Sequence, residues 1–370
     1  MTPMRNVLVA ILTLAAVASA GEKVVVYVSL DEQYSGRLLA DFTKQTGIAV
    51  EPTYDTERSK TVGLVNRLIR EKADPQADVY WNNEVATTVK LKQAGVLQAY
   101  VSPSAADIPA AFKDPDSTWT GFAARARILI VNTDRVSPDE MPRSMWDLTK
   151  PRWRGKVCMA RPETGTTAAH AAALYVLDPE LEDKYFDALI ANDVVWLSGN
   201  AHCMREVSAG RFAFGWTDTD DFNVALTKGA PVVRVFPDAG PDDIGVLYIP
   251  NSLMLIRGAR HPAAAKRLID WLLRPEIEAR LARSAAAQIP VRRNVPVPPN
   301  VLRPDQVGKV MAVDWDRVGR EYDRWVPHLK ARLEQAHPGA SGRLLLILGV
   351  VAVLGLAGVV LLKRTTGEPR

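Results

Sequence analysis

The sequence predicts an α/β protein with largely parallel sheets, arranged as two lobes separated by a cleft. Three observations support that prediction. Segments with the apolar composition of buried strands alternate with segments of helical periodicity along most of the chain. A long apolar segment at residues 125–131 follows a proline- and serine-rich connection at residues 102–117, as expected where the chain crosses into a second lobe. A further strand pattern at residues 253–256 precedes helices that return to the first lobe. A chain that leaves one lobe and returns to it forms a cleft, which is a common ligand site.

The first lobe is predicted to contain three strand–helix pairs. Its first strand has the sequence KVVVYVS, and such a nearly continuous apolar run is typical of a strand covered on both faces. Apolar residues recur at helical spacing after it, and Gly47 ends that helix because glycine adopts the left-handed conformation of a C-terminal cap. The predicted strands are residues 23–29, 48–52 and 78–81, and the predicted helices are residues 35–46, 59–72 and 85–94.

The second lobe follows the same alternation after the crossing strand. Pro262 and Pro275 then begin two helices, because the first turn of a helix needs no N–H donor. A last amphipathic helix is predicted at residues 315–336, kinked or split at Pro327. The predicted strands of the second lobe are residues 156–160, 194–197 and 211–216, and its helices are residues 164–177, 179–191, 200–209 and 219–228.

The positions of the crossing segments predict the boundaries of the lobes. We expect lobe 1 to comprise residues 21–124 and 250–303, and lobe 2 to comprise residues 125–249 and 304–336. Residues 337–343 are predicted to form a short linker after the second lobe.

Both ends of the chain have the pattern of a membrane-directed segment. Residues 1–20 combine a basic start, an apolar run and small terminal residues, as in a secretory signal peptide. Residues 344–362 are uncharged and mostly aliphatic, and as a helix they extend about 28 Å, close to the hydrocarbon thickness of a bilayer. Lys363 and Arg364 predict that the tail at residues 363–370 is cytoplasmic. The sequence therefore predicts an extracytoplasmic, periplasmic protein anchored to the cytoplasmic membrane by a C-terminal transmembrane helix.

Composition and motifs exclude several classes of protein. The chain is 47% hydrophobic and 24% charged, as is ordinary for a globular protein. A formal net charge of +4 and the lack of a basic run argue against a nucleic-acid partner. The sequence lacks the signatures of serine hydrolases, P-loop proteins, zinc peptidases and dinucleotide-binding enzymes, so no enzyme is predicted. Cys158 lies in a predicted buried strand, and whether it pairs with Cys203 is left open.

Polar side chains follow the predicted strands of the first lobe, where open α/β sheets bind ligands. Glu84 has two interpretations: a ligand carboxylate, or a charge in the first turn of a helix that the helix dipole favours. The polar residues are Ser29, Asp31, Glu32 and Tyr34 after the first strand, and Trp81, Asn83 and Glu84 after the third.

Two further features suit an anion. Arg125 and Arg127 alternate along the crossing strand and therefore point to the same face. An arginine on an apolar strand needs a partner, which is either an internal carboxylate or a ligand anion. The segment RPETGTT lies between a strand and a helix, where free N–H groups suit an anion, although a simple helix cap has the same pattern. Its candidate residues are Thr164, Gly165 and Thr166.

The segment WTDTDD, at residues 216–221, is the most polar of the predicted strand ends. Hard cations prefer oxygen ligands, which three aspartates at this position can supply. The alternative is one helix cap surrounded by solvated charges. The candidate ligand residues here are Trp216 and Thr217, and the candidate metal ligands are Glu84, Asp218, Asp220 and Asp221.

An ordered series of these segments resembles the periplasmic solute-binding proteins of ABC importers. The segments include KVVVYVSLDEQYSGRLLADFTKQTGIAVEP, ADVYWNNE, GFAARARILIVNTD, GKVCMARPETGTTAAH and GRFAFGWTDTDDFNVALTKGAP. The chain is most similar to the ferric-iron-binding (family 1 extracellular solute-binding) branch, whose relatives also bind phosphonates, sugar phosphates or thiamine. The resemblance covers residues 23–296. It implies a periplasmic-binding-protein type II fold, in which two lobes close on a solute and deliver it to a membrane permease.

The resemblance also implies which loops bind the solute. In the ferric branch an arginine and the small residues of the helix start hold a synergistic anion such as phosphate or carbonate, which agrees with the anion interpretation above. Two departures concern the iron: this chain lacks the tyrosine pair often found in the loop at residues 217–221, and it has Leu30 and Asp31 where a histidine is common. The residues carried over are Tyr27 and the others at 27–31, Asn83, Glu84, Arg125 or Arg127, and the residues at 164–166 and 217–221.

The sequence thus predicts a membrane-tethered solute-binding component of an ABC importer that captures ferric iron, together with phosphate or carbonate, and has no obligatory cofactor. We expect it to act as a monomer that binds a small solute or metal ion and docks on an ABC permease. One alternative is the same fold binding a phosphonate, a sugar phosphate or a polyamine. An alternative of another class is a tethered sensor that signals through a partner membrane protein.

Overall fold

The structure, a computed structural model, describes residues 22–55, 62–163 and 165–336. Within these ranges the strands are β1 (Lys23–Val28), β2 (Ala49–Tyr54), β3 (Val79–Asn82), β4 (Leu97–Gln98), β5 (Thr120–Asn132), β6 (Val157–Ala160), β7 (Val195–Leu197), β8 (Phe214–Asp218), β9 (Val232–Val235) and β10 (Tyr248–Ile256). The α helices are α1 (Glu32–Thr46), α2 (Val62–Arg70), α3 (Ala86–Gln93), α4 (Gly165–Leu177), α5 (Pro179–Ala191), α6 (Asn200–Ser208), α7 (Thr219–Thr227), α8 (Pro262–Leu272), α9 (Pro275–Arg283) and α10 (Trp315–Ala336).

The strands form one mixed sheet in the order β2-β1-β3-β10-β5-β8-β6-β7, with β4 beside β10 and β9 beside β5. β1 is parallel to β2 and β3, and β6 is parallel to β7 and β8. β10 is antiparallel to β3, and β5 is antiparallel to both β10 and β8. The prediction of largely parallel sheets is therefore corrected: the centre is antiparallel, because β5 and β10 carry the chain between the two halves in opposite directions.

The crossing strand β5 joins the two halves of the sheet and is buried along its whole length. Its first residues pair with β10, and its last residues pair with β8 and β9. β5 is longer than the predicted strand at residues 125–131 because the small residues before Arg125 also pair with β10. β8 likewise continues two residues past its predicted end and includes Asp218. Asp218 is therefore paired with Arg127 of β5 in the sheet.

Each half of the sheet is covered by helices and has its own apolar core. In the first half, alternate side chains of β1 such as Val24 and Val26 pack with Leu39 and Phe42 of α1. In the second half, the alanine-rich α4 packs with side chains of β5 and β6. We refer to these halves with their helices as lobe 1 and lobe 2, and the residue boundaries given above for them remain predictions.

Local signals account for several helix ends. Gly47 closes α1 in the left-handed conformation with φ of 76°, and its N–H donates to the Thr43 carbonyl oxygen, which confirms the predicted cap. Pro262 and Pro275 begin α8 and α9 as predicted. α10 continues through Pro327. A split at that proline is therefore wrong, whereas a kink stays a prediction. Trp325 and Leu329, on either side of the proline, are packed in the core of lobe 2 and support the helix there.

α10 packs against helices of both lobes. Toward lobe 1, Lys90 Nζ of α3 pairs with Asp323 Oδ1 at 2.8 Å. Toward lobe 2, Arg317 Nη1 donates to the carbonyl oxygen of Val176 in α4 at 3.0 Å. The side chains of Trp325 and Leu329 are buried in the core of lobe 2. The last helix thus connects the two lobes through its contacts with α3 and α4.

Across residues 22–55, 62–163 and 165–336, no helix has both the length and the apolar character needed to cross a membrane. The predicted signal peptide at residues 1–20, the linker, the predicted transmembrane helix at residues 344–362 and the tail lie outside the described residues.

Candidate functional site

A cavity of about 500 Å³ lies where the two lobes meet. It is formed by loops that follow strands of both lobes and by the first turns of α1, α4, α6 and α7, as expected at the carboxyl ends of strands. We call it the cleft. From lobe 1 it is lined by Leu30, Asp31, Tyr34 and Asn83; from β5 by Arg125; and from lobe 2 by Ala160, Arg161, Gly165, Thr166, Thr167, Ser198, Gly199, Asn200, Ala201, Arg205, Asp218, Asp220 and Asp221.

Two other cavities of similar volume, about 520 and 460 Å³, lie on the outer surface of α1. Their linings come from lobe 1 and the helices packed on it. Only the cleft, among these three, gathers charged side chains from both lobes. A ligand there contacts both lobes at once, so the cleft is the candidate binding site.

Asp218 lines the cleft, and Arg127 lies buried behind it. They are direct partners in the antiparallel pairing of β5 with β8, and Arg127 Nη1 lies 2.7 Å from Asp218 Oδ1. Arg125, two residues earlier, places its Nε 3.4 Å from Asp218 Oδ2. Burial by itself would raise the pKa of Asp218, but the charges of Arg127 and Arg125 outweigh burial and hold the pKa below its ordinary value. Asp218 is therefore ionised and already neutralised by arginine.

Asp218 Oδ2, the oxygen nearer to Arg125, also accepts hydrogen bonds from two neutral donors. Thr166 Oγ1 donates to Asp218 Oδ2 at 2.6 Å, and Asn200 Nδ2 donates to the same oxygen at 3.1 Å. Asn200 Nδ2 also lies 2.6 Å from Thr166 Oγ1. These contacts tie the first turns of α4 and α6 to the end of β8.

Asp220 and Asp221 are in a different electrostatic situation. Burial, followed by the charge of Asp218, raises the pKa of Asp220 to about 6, even though Arg125 acts in the opposite direction. Burial and the charges of Asp220 and Asp218 raise the pKa of Asp221 well above its ordinary value. Thr217 Oγ1 donates to Asp221 Oδ2 at 2.9 Å. Among the residues that the structure describes, neither carboxylate forms an ion pair, and the charge of Arg125 offsets only part of their repulsion. A bound cation would relieve the rest.

The wall contributed by lobe 1 faces these carboxylates. Burial, together with the negative charges of Asp220, Asp31 and Asp221, raises the pKa of Tyr34. The phenol of Tyr34 therefore lies close enough to both walls to sense their charges. Ligand atoms of Asp218, Asp220 and Asp221 lie within 4.8 Å of one another. The cleft thus has an acidic corner of oxygen donors, which we define as Asp31, Tyr34, Asp220 and Asp221.

Another part of the cleft carries positive charge. Arg125 Nη2 donates to the carbonyl oxygen of Asn83 at 2.7 Å, which connects the crossing strand to lobe 1. Arg161 lines the cavity beside the start of α4, and its Nη2 lies 2.8 Å from Glu163 Oε1. Arg205 of α6 extends the positive wall. We call Arg125, Arg161 and Arg205 the arginine wall.

Eight predicted site residues line the cleft: Asp31, Asn83, Arg125, Gly165, Thr166, Asp218, Asp220 and Asp221. Thr164 lies outside the described residues. The other predicted ligand residues are not among those that line the cavity: Tyr27, Ser29, Trp81, Glu84, Arg127, Trp216 and Thr217.

Several of these residues are buried beneath the cleft in lobe 1, which corrects the expectation that they face it. Tyr27 is 1% exposed, and its hydroxyl donates to Glu71 Oε2 at 2.9 Å on the face covered by α2. Trp81 is fully buried and packs against Phe122 at a ring distance of 5.4 Å. Ser29 Oγ donates to Asn82 Oδ1 at 2.8 Å and so connects the ends of β1 and β3.

Glu84 serves the helix that follows it. Its Oε1 accepts a hydrogen bond from the Thr87 N–H at 3.0 Å and another from the Thr87 hydroxyl. Burial raises the pKa of Glu84, although these hydrogen bonds act against the increase. The side chain is 2% exposed. The geometry therefore favours the helix-start interpretation over the ligand interpretation.

Trp216 belongs to the core of lobe 2. Its ring is 4.9 Å from that of His170 in an edge-on contact, its Nε1 donates to Tyr185 Oη at 2.9 Å, and Arg127 lies 5.4 Å above it. Its alternation along β8 explains the burial, because Trp216 and Asp218 point to one face and only Asp218 reaches the strand's end. Thr217 is fully buried and supports Asp221.

The sequence analysis did not select five polar residues that line the cleft beside Tyr34: Arg161, Thr167, Ser198, Asn200 and Arg205. Asn200 begins α6 three residues after the end of β7, so its position between a strand and a helix was the available signal. The same rule of strand ends that selected Asp31 and Asn83 applies to it. Tyr34 was noted in its loop but was not selected as a ligand residue.

The fold and the cleft define a bilobal solute-binding protein, in which loops of both lobes meet at one charged cavity. Residues 37–306 match the family described as bacterial extracellular solute-binding protein, and the chain belongs to that family. It is thus an extracellular solute-binding component of ABC importers, a transport function, and the predicted family membership is confirmed.

Individual relatives differ in what they bind. Iron uptake protein A1 of Synechocystis sp. is 24% identical over 290 residues, which are 75% of this chain and 78% of that protein. Iron-bound HitA from Pseudomonas aeruginosa superposes with a TM-score of 0.74 at 20% identity, covering 83% of this chain and 99% of HitA. AfuA from Actinobacillus pleuropneumoniae, with fructose-6-phosphate bound, has a TM-score of 0.71 at 23% identity and covers 84% and 99%. These two structural similarities establish the periplasmic-binding-protein fold.

Proposed function

We propose that the solute of this protein is ferric iron, bound together with an anion. The observation that carries the proposal is the acidic corner, where Asp220 and Asp221 of lobe 2 face Asp31 and Tyr34 of lobe 1. Carboxylate and phenolate oxygens are hard donors, which suit a small cation of high charge. A cation bound between the two walls also favours closure of the lobes, because it binds more tightly when both walls contact it.

The proposed metal ligands are Asp31, Tyr34, Asp220 and Asp221. Two of the carboxylates considered from the sequence are left out for physical reasons. Asp218 is neutralised by Arg127 and hydrogen bonded by Thr166 and Asn200, so binding a metal would break these contacts. Glu84 does not line the cleft, and its oxygens are used in the first turn of α3.

The companion anion is proposed to bind at the arginine wall. Arg125 and Arg161 supply positive charge, and Thr166 lies in the first turn of α4, where the helix dipole favours a negative ligand. A cavity of about 500 Å³ exceeds what one metal ion fills. It has room for phosphate, carbonate or a small polycarboxylate beside the iron. Fe(III) is thus the transported ligand and no obligatory cofactor is proposed.

Titration of the purified full chain with ferric nitrilotriacetate tests the iron proposal. We expect saturable binding and a visible absorption band from charge transfer between the Tyr34 phenolate and Fe(III). Tyr34→Phe should remove the band, and Asp220→Asn should weaken binding roughly 100-fold because it removes a ligand charge. Glu32→Gln is the matched control, since Glu32 is exposed in the first turn of α1 and does not line the cleft. Absence of saturable binding to the unchanged chain would reject iron as the solute.

An organic phosphate is the second candidate, because the arginine wall adjoins the hydroxyl of Thr166 and the amide of Asn200. Calorimetry with fructose-6-phosphate, 2-aminoethylphosphonate, inorganic phosphate and spermidine compares the classes in one experiment. Binding of a phosphate ester without iron, lost in Arg161→Ala and retained in Asp220→Asn, would favour this candidate. Binding of spermidine alone, lost in Asp220→Asn, would favour a polyamine.

We also propose that the chain is tethered to the cytoplasmic membrane by residues 344–362 and delivers its solute to an ABC permease. The support is the length and apolar character of that run in the sequence. Fractionation of cells that express the full chain should recover it with membranes and resistant to carbonate extraction. Co-purification with a permease supports transport, whereas co-purification with a signalling protein and no permease supports the sensor alternative.

A further inference from the structure

Cys158 of β6 and Cys203 of α6 lie side by side beneath the cleft. Their Sγ atoms are 3.1 Å apart, and 45 residues separate them in the chain. Both side chains are fully buried. Strand and helix are thus placed so that the two sulfurs contact each other.

The residues around the two sulfurs leave room for them only because position 215 is a glycine. Gly215 of β8 faces them, and a Cβ at that position would lie 2.6 Å from the Cys203 sulfur and 2.8 Å from the Cys158 sulfur. A side chain on Gly215 would therefore displace the pair. The rest of the cluster is apolar and includes Ile128 and Phe222. Among the described residues, the cysteines belong to no group of potential metal ligands.

We propose that Cys158 and Cys203 form a disulfide bond in the exported protein. The two thiols lose two protons and two electrons as the sulfur–sulfur bond forms, and a disulfide of a protein or of glutathione is reduced to two thiols. A disulfide requires sulfurs about 2.05 Å apart, so an approach of about 1 Å from the thiol positions is enough. Membership in an extracellular family is consistent with an oxidising compartment.

Burial determines when the bond can form. Burial, with the neighbouring Cys203, raises the pKa of the Cys158 thiol well above its ordinary value. The reactive thiolate is therefore scarce in the folded, reduced protein. The bond forms while the chain folds, before the apolar cluster closes over the sulfurs.

The bond has a consequence for the cleft. Cys203 lies one turn after Asn200, the first residue of α6. Asn200 Nδ2 donates to Thr166 Oγ1 and to Asp218 Oδ2, and Asn200 Oδ1 accepts from Thr167 Oγ1 at 3.0 Å. Because the disulfide ties this turn to β6, it positions Asn200, and with it the α6 side of the cleft.

The redox state is tested on the full chain, unfolded in urea with reductant and refolded with glutathione disulfide. After denaturation, a thiol-reactive maleimide should label no cysteine, and it should label two after reduction. The Cys203→Ser variant, as control, should carry one labelled thiol after reduction. The same labelling on chain from acid-quenched cells that export it should give the oxidised result. Two labelled thiols, or glutathione adducts at both cysteines after refolding, would overturn the proposal.

A separate measurement tests whether the disulfide positions α6. Amide hydrogen exchange in α6 should be roughly tenfold slower in the oxidised chain than in the chain carrying both Cys158→Ala and Cys203→Ala. Exchange in α9, which is remote from the pair, should be the same in both. Equal α6 rates would overturn the positioning role. Neither measurement uses a solute, so the outcome is independent of whether iron binds.

Discussion

Arg127 and Asp218 lie directly opposite each other on β5 and β8, and their side chains form an almost wholly buried ion pair of 2.7 Å. The pair lies where the crossing strand enters lobe 2, and it fixes the junction of β8 with α7, whose first turn carries Asp220 and Asp221. All three aspartates line the cavity, but Asp218 is paired with arginine, whereas Asp220 and Asp221 form no ion pair with a described residue.

The buried ion pair predicts a large cost for removing one partner. Asp218→Asn keeps the volume but leaves the Arg127 charge buried without compensation, so we expect unfolding free energy to fall by about 3 kcal/mol. Urea unfolding of the full chain measures the loss. Lys184→Ala is the control, because it removes an exposed pair with Glu180 and should cost no more than about 0.5 kcal/mol. A loss for Asp218→Asn as small as the control's would contradict the structural role.

Cation affinity should depend on pH through the acidic corner. The pKa of Asp220 is raised to about 6 and that of Asp221 well above its ordinary value, so both carboxylates of the free protein bind protons at a higher pH than an ordinary aspartate does. A cation must displace these protons, and its affinity therefore rises with pH, up to about tenfold per pH unit for each proton displaced. Competition against nitrilotriacetate between about pH 5 and 8, corrected for protonation of the chelator, measures the slope.

Asp221→Asn removes one of the two titrating groups and should make the slope shallower. If the slope is unchanged in that variant, the proton released on binding comes from elsewhere, and the assignment of Asp221 as a ligand is wrong.

Glu182 should make the fold less stable at neutral pH than at mildly acidic pH. Burial raises its pKa from 4.5 to about 7, although Arg332 acts against the increase. Between these values the folded state holds a proton that the unfolded state has released. Stability is therefore greatest at and below the unfolded pKa, falls as pH rises through this window, and is constant above it.

Glu182→Gln should remove that dependence and raise the unfolding free energy at about pH 8 by about 2 kcal/mol. Urea unfolding at low and high pH measures this change in stability. Glu180→Gln is the control, because Glu180 is exposed. Equal pH profiles for the unchanged chain and Glu182→Gln would show that another group dominates.

Close packing of α10 on α3 depends on Gly319. A Cβ at that position would lie 2.6 Å from Val89 Cβ, closer than real contacts allow. Gly319→Ala gains about 1 kcal/mol of helix propensity, but the overlap should cost more, for a net loss of about 1–2 kcal/mol. Adding Val89→Ala makes room and should reduce the penalty attributable to Gly319→Ala. Thermal or urea unfolding of the unchanged chain, the two single variants and the double variant measures these effects. Net stabilisation by Gly319→Ala alone would contradict the packing.

Much of the fold was predictable because its signals are local. The helices α4, α5, α6 and α7 begin and end within one residue of the predicted bounds. Their boundaries follow from prolines, caps and apolar periodicity, which act over a few residues. β4 was not predicted, because its two residues are too short for a periodic pattern. The antiparallel centre was also missed, since strand direction depends on partners far along the chain.

The site was predictable in part for the same reason. Polar residues just past strand ends, such as Asp31 and Asn83, line the cleft as the rule for α/β sheets predicts. Tyr27 and Trp216, inside strands, do not line it, because helices cover both faces of the sheet. The composition of a strand does not show which of its residues is buried and which lines the cleft.

The sequence by itself determined the α/β class, the family and the kinds of chemical groups at the strand ends, because side-chain polarity and periodicity are properties of short segments. Only the tertiary structure decided which groups meet. The pairing of β5 with β8 neutralised Asp218, the meeting of the lobes set Tyr34 near Asp220 and Asp221, and the packing of α6 on β6 brought two sulfurs into contact. Electrostatic and covalent chemistry depends on distances of a few ångströms between residues remote in the chain, and only folding sets those distances.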